Sequence, residues 1–195
     1  MKVGLDLDNT LLCYEEYMKV NAPIWLAQHG VIPMGADDTA YDDYKFFGVA
    51  KNIWNYLMRH YGHEVMKGYI DAGVPDESLE FLTNLKDEGF EVSFITHRAN
   101  YLRDDTVHQI KKAFDVLGDV PVYFAEGDKS VVMIYEKIPC LLDDSPAVIT
   151  DVLRYSGLTI LAPKKRYNQG YPAVYYDSFK EALKILRNIR AMKEG

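Results

Sequence analysis

The stretch KVGLDLDNTLL, residues 2–12, reads as a buried strand that ends in charge. Asp6 and Asp8 stand at alternate positions of an otherwise apolar run, with Asn9 and Thr10 directly behind them. A carboxylate at the end of an apolar strand is costly unless something compensates it. A tightly held cation, or a reaction that uses both groups, is such a compensation. The question is therefore what else the chain delivers to the same strand end.

Working outward, short apolar runs recur at 91–96 (EVSFIT), 121–124, 138–142 (IPCLL), 158–161 and 173–176, and each reads as a strand. Helical patterns lie between them. Leu79, Leu82 and Leu85 share one face of a segment opened by Pro75 and closed by Gly89. Val107, Ile110, Phe114 and Leu117 mark a second helix ended by Gly118, a third follows Asp144, Ser145 and Pro146, and a fourth runs from Asp177 or Ser178 to near Ala191. Strand and helix alternate from about residue 75 onward. The fold class is therefore α/β, a Rossmann-like parallel sheet with helices on both faces. Ligands of such sheets bind at the carboxyl ends of the strands.

Residues 13–73 break the alternation. They offer helical candidates at 14–29 and 49–70 and a polar, aromatic middle, GADDTAYDDYKFFG, without a convincing strand. The expectation is an α/β core of residues 1–12 and 74–195, with 13–73 inserted after strand one as a small helical cap over the end that carries Asp6 and Asp8.

Composition narrows the class of function. The chain has 195 residues, 48% hydrophobic and 26% charged, enough for one sizeable core. No apolar run approaches the roughly 20 residues of a membrane span. The first strand starts almost at Met1, so no cleavable leader is expected. Cys13 and Cys140 are far apart and lack metal-binding spacing. Such usage suits a reducing compartment and a cytoplasmic location, with Cys140 read as a buried apolar residue. A net charge of −7 argues against extended nucleic-acid binding, though not against a small phosphate ester held locally.

Strand ends then assemble the chemistry. Asp6 and Asp8 close strand one, Thr96 in SFITHR closes the strand at 91–96, and Asp143 and Asp144 in CLLDDSP close the strand at 138–142. Lys129 in EGDKSVV opens a helical stretch behind the strand at 121–124. The pairs Asp37/Asp38, Asp42/Asp43 and Asp104/Asp105 follow no apolar strand and read as solvated or capping residues. Carboxylates that converge repel one another and shift upward in pKa unless a cation joins them. With only oxygen ligands on offer, magnesium is the expected ion. A metal beside a carboxylate, a hydroxyl and a lysine suits phosphoryl transfer. The cations neutralise charge on the transferring group, and a carboxylate can attack phosphorus to give an aspartyl-phosphate.

DxDxT (Asp6, Asp8, Thr10), Thr96, Lys129 and Asp143-Asp144, in that order, resemble the four motifs of the haloacid dehalogenase (HAD) superfamily of phosphotransferases. The resemblance covers the chain from end to end and implies roles. Asp6 is the nucleophile; Asp8 is general acid, then base, and gives its backbone carbonyl to the metal. Thr96 and Lys129 hold phosphate oxygens, and the acidic pair binds Mg2+, so that the metal set is Asp6, Asp8, Asp143 and Asp144; which of Asp143 and Asp144 touches the ion directly stays open, with Asp144 the preferred ligand and Asp143 then orienting Lys129 or a metal-bound water.

The helical insertion and the short path from GDKSVV to LLDD are similar to the 5'(3')-deoxyribonucleotidases. That likeness implies a mononucleotide substrate, with cap aromatics beside the base. Tyr44, Phe46 and Phe47 occupy a comparable stretch, and either base stacking or cap core suits Phe46 and Phe47; Trp25 and Trp54 fall in helical periods and read as core. The sequence departs from that pattern after Thr96, where His97 and Arg98 stand. Arg98 is expected to add a charge-assisted phosphate contact, and His97 either caps the next helix or touches substrate.

His60 and His63 read as a solvated face. Lys164, Lys165 and Arg166 either attract an anion to the crevice or form an ordinary loop. The resulting expectation is a magnesium-dependent phosphatase, most specifically a 5'(3')-nucleotidase or deoxyribonucleotidase. The alternatives are a phosphatase for another small metabolite, a polynucleotide 3'-phosphatase, and a silent nucleotide-binding module. A homodimer is compatible with the sequence.

Overall fold

The structure, a computed structural model, describes residues 1–35, 37, 39–115 and 118–194. Two compact units emerge: Met1–Leu12 with Val74–Gly195, and Cys13–Gly73.

In the first unit, six parallel strands form one sheet: β1 (Lys2–Leu5), β2 (Glu91–Thr96), β3 (Val122–Phe124), β4 (Cys140–Leu142), β5 (Thr159–Pro163) and β6 (Val174–Tyr176), in the order β3-β2-β1-β4-β5-β6. Val3, Leu5, Ile95, Leu141, Leu142 and Leu161 are almost wholly buried, as strands covered on both faces must be. The chain begins in the middle of the sheet, builds two strands to one side, then crosses over to the other. The crossover separates the connections on either side of β1 and β4, and it is there that a doubly wound sheet opens its ligand crevice. Register sets the level. Leu5 pairs with Leu142, and the Asp6 N–H donates to the Leu142 carbonyl at 2.9 Å, so Asp6 and Asp143 leave neighbouring strands side by side.

The first strand is shorter than the sequence suggested. It stops at Leu5, and the chain then turns sharply, with Asn9 in the left-handed region (φ 60°) that asparagine tolerates better than most residues. The Leu11 and Leu12 N–H groups both return to the Leu7 carbonyl. This closed loop, rather than a strand, holds Asp8 and Thr10.

Gly4 is the close approach that lets the sheet pack. A Cβ there would meet Ile95 Cδ1 at 3.0 Å and Leu141 Cδ1 at 3.1 Å, both on fully buried residues.

Helices α4 (Asp76–Asp87), α5 (Arg103–Ala113), α6 (Lys129–Glu136), α7 (Pro146–Val152) and α8 (Phe179–Glu194) complete the unit. Helix α5 begins earlier than its apolar spacing implied, behind a single 3-10 turn at Asn100–Leu102. Asp104 and Asp105 fall in its first turn, where the helix dipole favours them. Leu117, expected on this helix, lies outside the described residues.

The second unit contains α1 (Tyr14–Gln28), α2 (Asp43–Phe46) and α3 (Lys51–Asp71) and no strand among the described residues. Its core is aromatic. Trp25 meets Trp54 edge-on with centroids 6.1 Å apart, and Phe47 stacks on Trp54 at 5.7 Å. His60 and His63 are exposed on α3. Asp37 accepts from the Thr39 N–H and hydroxyl, and Asp42 pairs with Lys45 at 2.8 Å; Asp38 lies outside the described residues. Among the described residues no helix is long and apolar enough to cross a membrane.

Candidate active site

The side chains of Asp6, Asp143 and Asp144 are buried and bring carboxylate oxygens within 4.8 Å of one another. Lys129 lies between two of them. Its ammonium donates to Asp6 Oδ1 at 2.5 Å and to Asp143 Oδ2 at 2.7 Å, with its side chain only 2% exposed. Four residues separated by up to 138 positions thus meet because β1 and β4 are neighbours and α6 starts beside them.

The first turn of α6 is anchored from α7. Asp151, itself buried, accepts from the Ser130 N–H at 2.9 Å and from the Ser130 hydroxyl at 2.7 Å. That fixes the residue next to Lys129. On the opposite flank, Asp143 Oδ1 accepts from the Ser145 N–H at 2.9 Å, leaving the other oxygen to the lysine. Asp144 takes the Thr10 hydroxyl at 3.4 Å on one oxygen and the Tyr167 hydroxyl on the other. Asn168, fully buried, ties the Asp144 carbonyl to that of Pro163.

Burial pushes the Asp6 carboxyl well above the ordinary carboxylate range; the Lys129 charge pulls it back, while Asp143, Asp144 and Asp8 push it further up. Asp144 is raised to about 7, chiefly by burial and next by the Asp143 charge, with the Tyr167 hydrogen bond opposing. Burial alone would lower Lys129, but the Asp143 and Asp6 charges outweigh it and hold it above the usual lysine value. Three buried carboxylates thus share one ammonium. Their oxygen-only donor set and excess negative charge fit a hard divalent cation such as magnesium, held by carboxylates with water completing its shell. Asp6, Asp143 and Asp144 would hold it, with Lys129 engaging one oxygen of Asp6 and one of Asp143. The Asp8 side chain is not in this group; the resemblance gives the metal only its backbone carbonyl.

This electrostatics carries a pH signature. A buried carboxyl with a native pKa near 7 and an unfolded value near 3.9 binds its proton more tightly when folded. Its contribution to stability is full below pH ~4 and is lost as pH rises to about 7, where Asp144 alone accounts for about 4 kcal/mol. In EDTA, thermal unfolding is therefore expected to move down by on the order of 10 °C between pH 5 and pH 7.5. Magnesium should restore most of that at pH 7.5 and little at pH 5. A midpoint that rises across this interval in EDTA would contradict the clustered geometry.

The remaining residues divide. Thr96 is buried at the end of β2, and its hydroxyl accepts from the Arg98 N–H at 3.1 Å, keeping a proton to donate. His97 donates to the Gly127 carbonyl at 2.9 Å, two residues before Lys129; desolvation of its ring, then the Lys129 charge, hold its pKa below the usual histidine value. It thus braces the loop that leads into α6 and does not cap the following helix.

Arg98 differs from the expectation of a phosphate contact: its guanidinium grips Asp8, donating from Nε to Oδ2 at 2.9 Å and from Nη2 to Oδ1 at 2.6 Å. Phe46 and Phe47 are 8% and 3% exposed and pack edge-on against each other in the core of the second unit. Of the two readings open for them, a core position within their own unit is the one that this packing follows. Lys164 pairs with Asp177 at 2.6 Å on the surface, and the Lys165 N–H is bound by Asn168 Oδ1.

Sequence reasoning missed Tyr167, Asn168, Asp151, Thr106 and Gln109. Tyr167 and Asn168 sit directly behind the basic cluster, in a loop where no spacing marks them.

No family model and no curated protein matches this sequence. Solved structures do match the fold. A candidate phosphoglycolate phosphatase from Lactobacillus delbrueckii subsp. bulgaricus superposes with a TM-score of 0.65 at 14% identity, covering 94% of this chain and 97% of its own. A HAD family hydrolase from Deinococcus radiodurans R1, with bound phosphate and sodium, gives 0.62 at 16% identity, over 96% of this chain and 95% of the other. YfnB from Bacillus subtilis, a candidate HAD-hydrolase bound to magnesium, gives 0.58 at 14% identity, over 95% and 97%. At such identities the likeness is one of fold: this chain has the α/β fold of HAD-superfamily hydrolases.

Proposed function

We propose that this chain, built on the fold of the HAD hydrolases, is a magnesium-dependent phosphomonoester hydrolase that works through an aspartyl-phosphate on Asp6. The observation that carries the reading is the cluster of Asp6, Asp143 and Asp144 with Lys129 wedged between the first two. Asp6 attacks the phosphorus of a bound ester as the phosphorus–oxygen bond to the leaving alcohol breaks. Asp8, two residues on and protonated at this stage, gives that oxygen its proton and is left as the carboxylate. It then takes one from the water that cleaves the aspartyl-phosphate. Lys129 and the Thr96 hydroxyl bind the phosphoryl oxygens and spread the charge of the transition state. Magnesium, when bound, supplies Lewis-acid neutralisation of the same charge.

Within this activity we place the substrate among small phosphate esters. A nucleoside or deoxynucleoside monophosphate is the finer reading, in keeping with the resemblance to the 5'(3')-deoxyribonucleotidases and with residues 13–73 serving as a cap. A second reading, a non-nucleotide metabolite phosphate, is favoured by one observation: Phe46 and Phe47 are packed into the core of their own unit. A polynucleotide 3'-phosphatase fits poorly with a net charge of −7.

The test is phosphate release from mononucleotides, sugar phosphates, short carboxylic-acid phosphates and 3'-phosphorylated oligonucleotides, with magnesium or EDTA. Magnesium-dependent release that prefers mononucleotides supports the finer reading, and a preference for sugar or acid phosphates supports the second. No release from any ester would leave a silent binding module and end the hydrolase proposal.

A further inference from the structure

All three guanidinium nitrogens of Arg98 are engaged by side chains, which sets it apart from a cation left open to bind a phosphate. Its side chain is 2% exposed, whereas that of Asp8 is 26% exposed. The fork formed by Nε and Nη2 engages both oxygens of Asp8, the paired geometry in which a guanidinium best matches an ionised carboxylate. On the far side, Nη1 donates to Gln109 Oε1 at 2.8 Å and to Thr106 Oγ1 at 3.3 Å, both on α5 and both buried. Helix α5 thus holds the guanidinium from behind, and the guanidinium holds the carboxylate in front. A lysine could not do this, because an ammonium lacks the planar fork.

We infer that Arg98 is a positioning residue which, backed by Gln109 and Thr106, fixes the Asp8 carboxylate for the hydrolytic half of the reaction. The inference rests on the phosphatase reading above and assigns one step within it. In that step the water oxygen bonds to phosphorus while the phosphorus–oxygen bond to Asp6 breaks. The bonding pair returns to the Asp6 carboxylate, and the water proton passes to Asp8. An aimed, fixed carboxylate is what this proton transfer needs.

p-Nitrophenyl phosphate isolates the step, because its leaving group departs without protonation and kcat/KM reports only events up to the transfer onto Asp6. Arg98→Gln is expected to lower kcat at least about tenfold, part of the 10²–10⁴ typical of general-base assistance. The KM should fall with it, leaving kcat/KM within about threefold of wild type, and a burst of one nitrophenol per protein should precede the steady state. Gln109→Ala, which removes only the backing, should give the same pattern more weakly and serves if Arg98→Gln fails to fold. A raised KM with reduced kcat/KM would place Arg98 on the transferring phosphate and overturn the inference, as would an unchanged kcat. No turnover by the wild type would overturn the phosphatase reading and this inference together.

Discussion

Asp6→Asn is expected to lower ester hydrolysis by at least about 10³-fold, as loss of a covalent nucleophile does, without lowering the melting temperature. The two halves of this result have separate causes. Activity goes because an amide is no nucleophile toward phosphorus. Stability stays because the ionised Asp6 is already disfavoured by burial and by the charges of Asp143, Asp144 and Asp8, with Lys129 as its offset. Asparagine keeps the shape and removes the charge, while Lys129 retains Asp143 at 2.7 Å. In EDTA at pH 8 the variant should melt at or above the wild type, a case in which a functional group costs its fold stability. Its shift on adding magnesium should shrink, since one of three converging carboxylates is gone. Acid-quenched reactions with labelled substrate provide the direct measurement: phosphate stays on the wild type and is absent from the variant. Turnover within tenfold of wild type would displace Asp6 from the role of nucleophile.

The physical reasons that made part of this molecule legible in its sequence also explain what was not. Strands buried on both faces leave continuous apolar runs, and a carboxylate at the end of such a run stands out because burial there is expensive. Asp6 and the Asp143-Asp144 pair were found in this way, and parallel register then places Asp6 beside Asp143. Element ends were less legible. β1 stops at Leu5 because the left-handed Asn9 turn takes over, and a turn of this kind leaves no period. The grip of Arg98 on Asp8 spans 90 residues and is backed from α5, which begins at Arg103, four residues before Val107, the first apolar position that marks it in the sequence. Arg98 reads in the sequence as a phosphate contact because a cation beside converging strand ends ordinarily attracts an anion, and its carboxylate partner Asp8 is remote in the chain. Tyr167 and Asn168 were hidden for a related cause: a loop's role is set by where its side chains land, and no spacing rule foretells that a tyrosine behind three basic residues will reach Asp144.

Lys129→Met should be strongly destabilising. The substitution keeps length and apolar stem but removes the ammonium between Asp6 and Asp143, in a site where lysine and both carboxylates are shielded from water. Stripping one partner from a buried ion pair typically costs about 3–5 kcal/mol, because the charge left behind has neither solvent nor counter-ion. For a chain of this size that corresponds to a fall on the order of 10 °C in EDTA at pH 7.5. The loss should be conditional. Without the ammonium the remaining carboxylates bind protons more tightly, so at pH 5 the gap to wild type narrows. Magnesium supplies the missing positive charge and narrows it at pH 7.5 as well, giving a larger magnesium-induced shift than in the wild type. Catalysis should not return with stability, since a phosphoryl oxygen loses its donor whatever the metal does. Thermal unfolding in four conditions, pH 5 and 7.5 with and without magnesium, reads all of this. A variant that melts within 2 °C of wild type throughout would mean that Asp6 and Asp143 are not held by Lys129, and the electrostatic account of the site would fail with it.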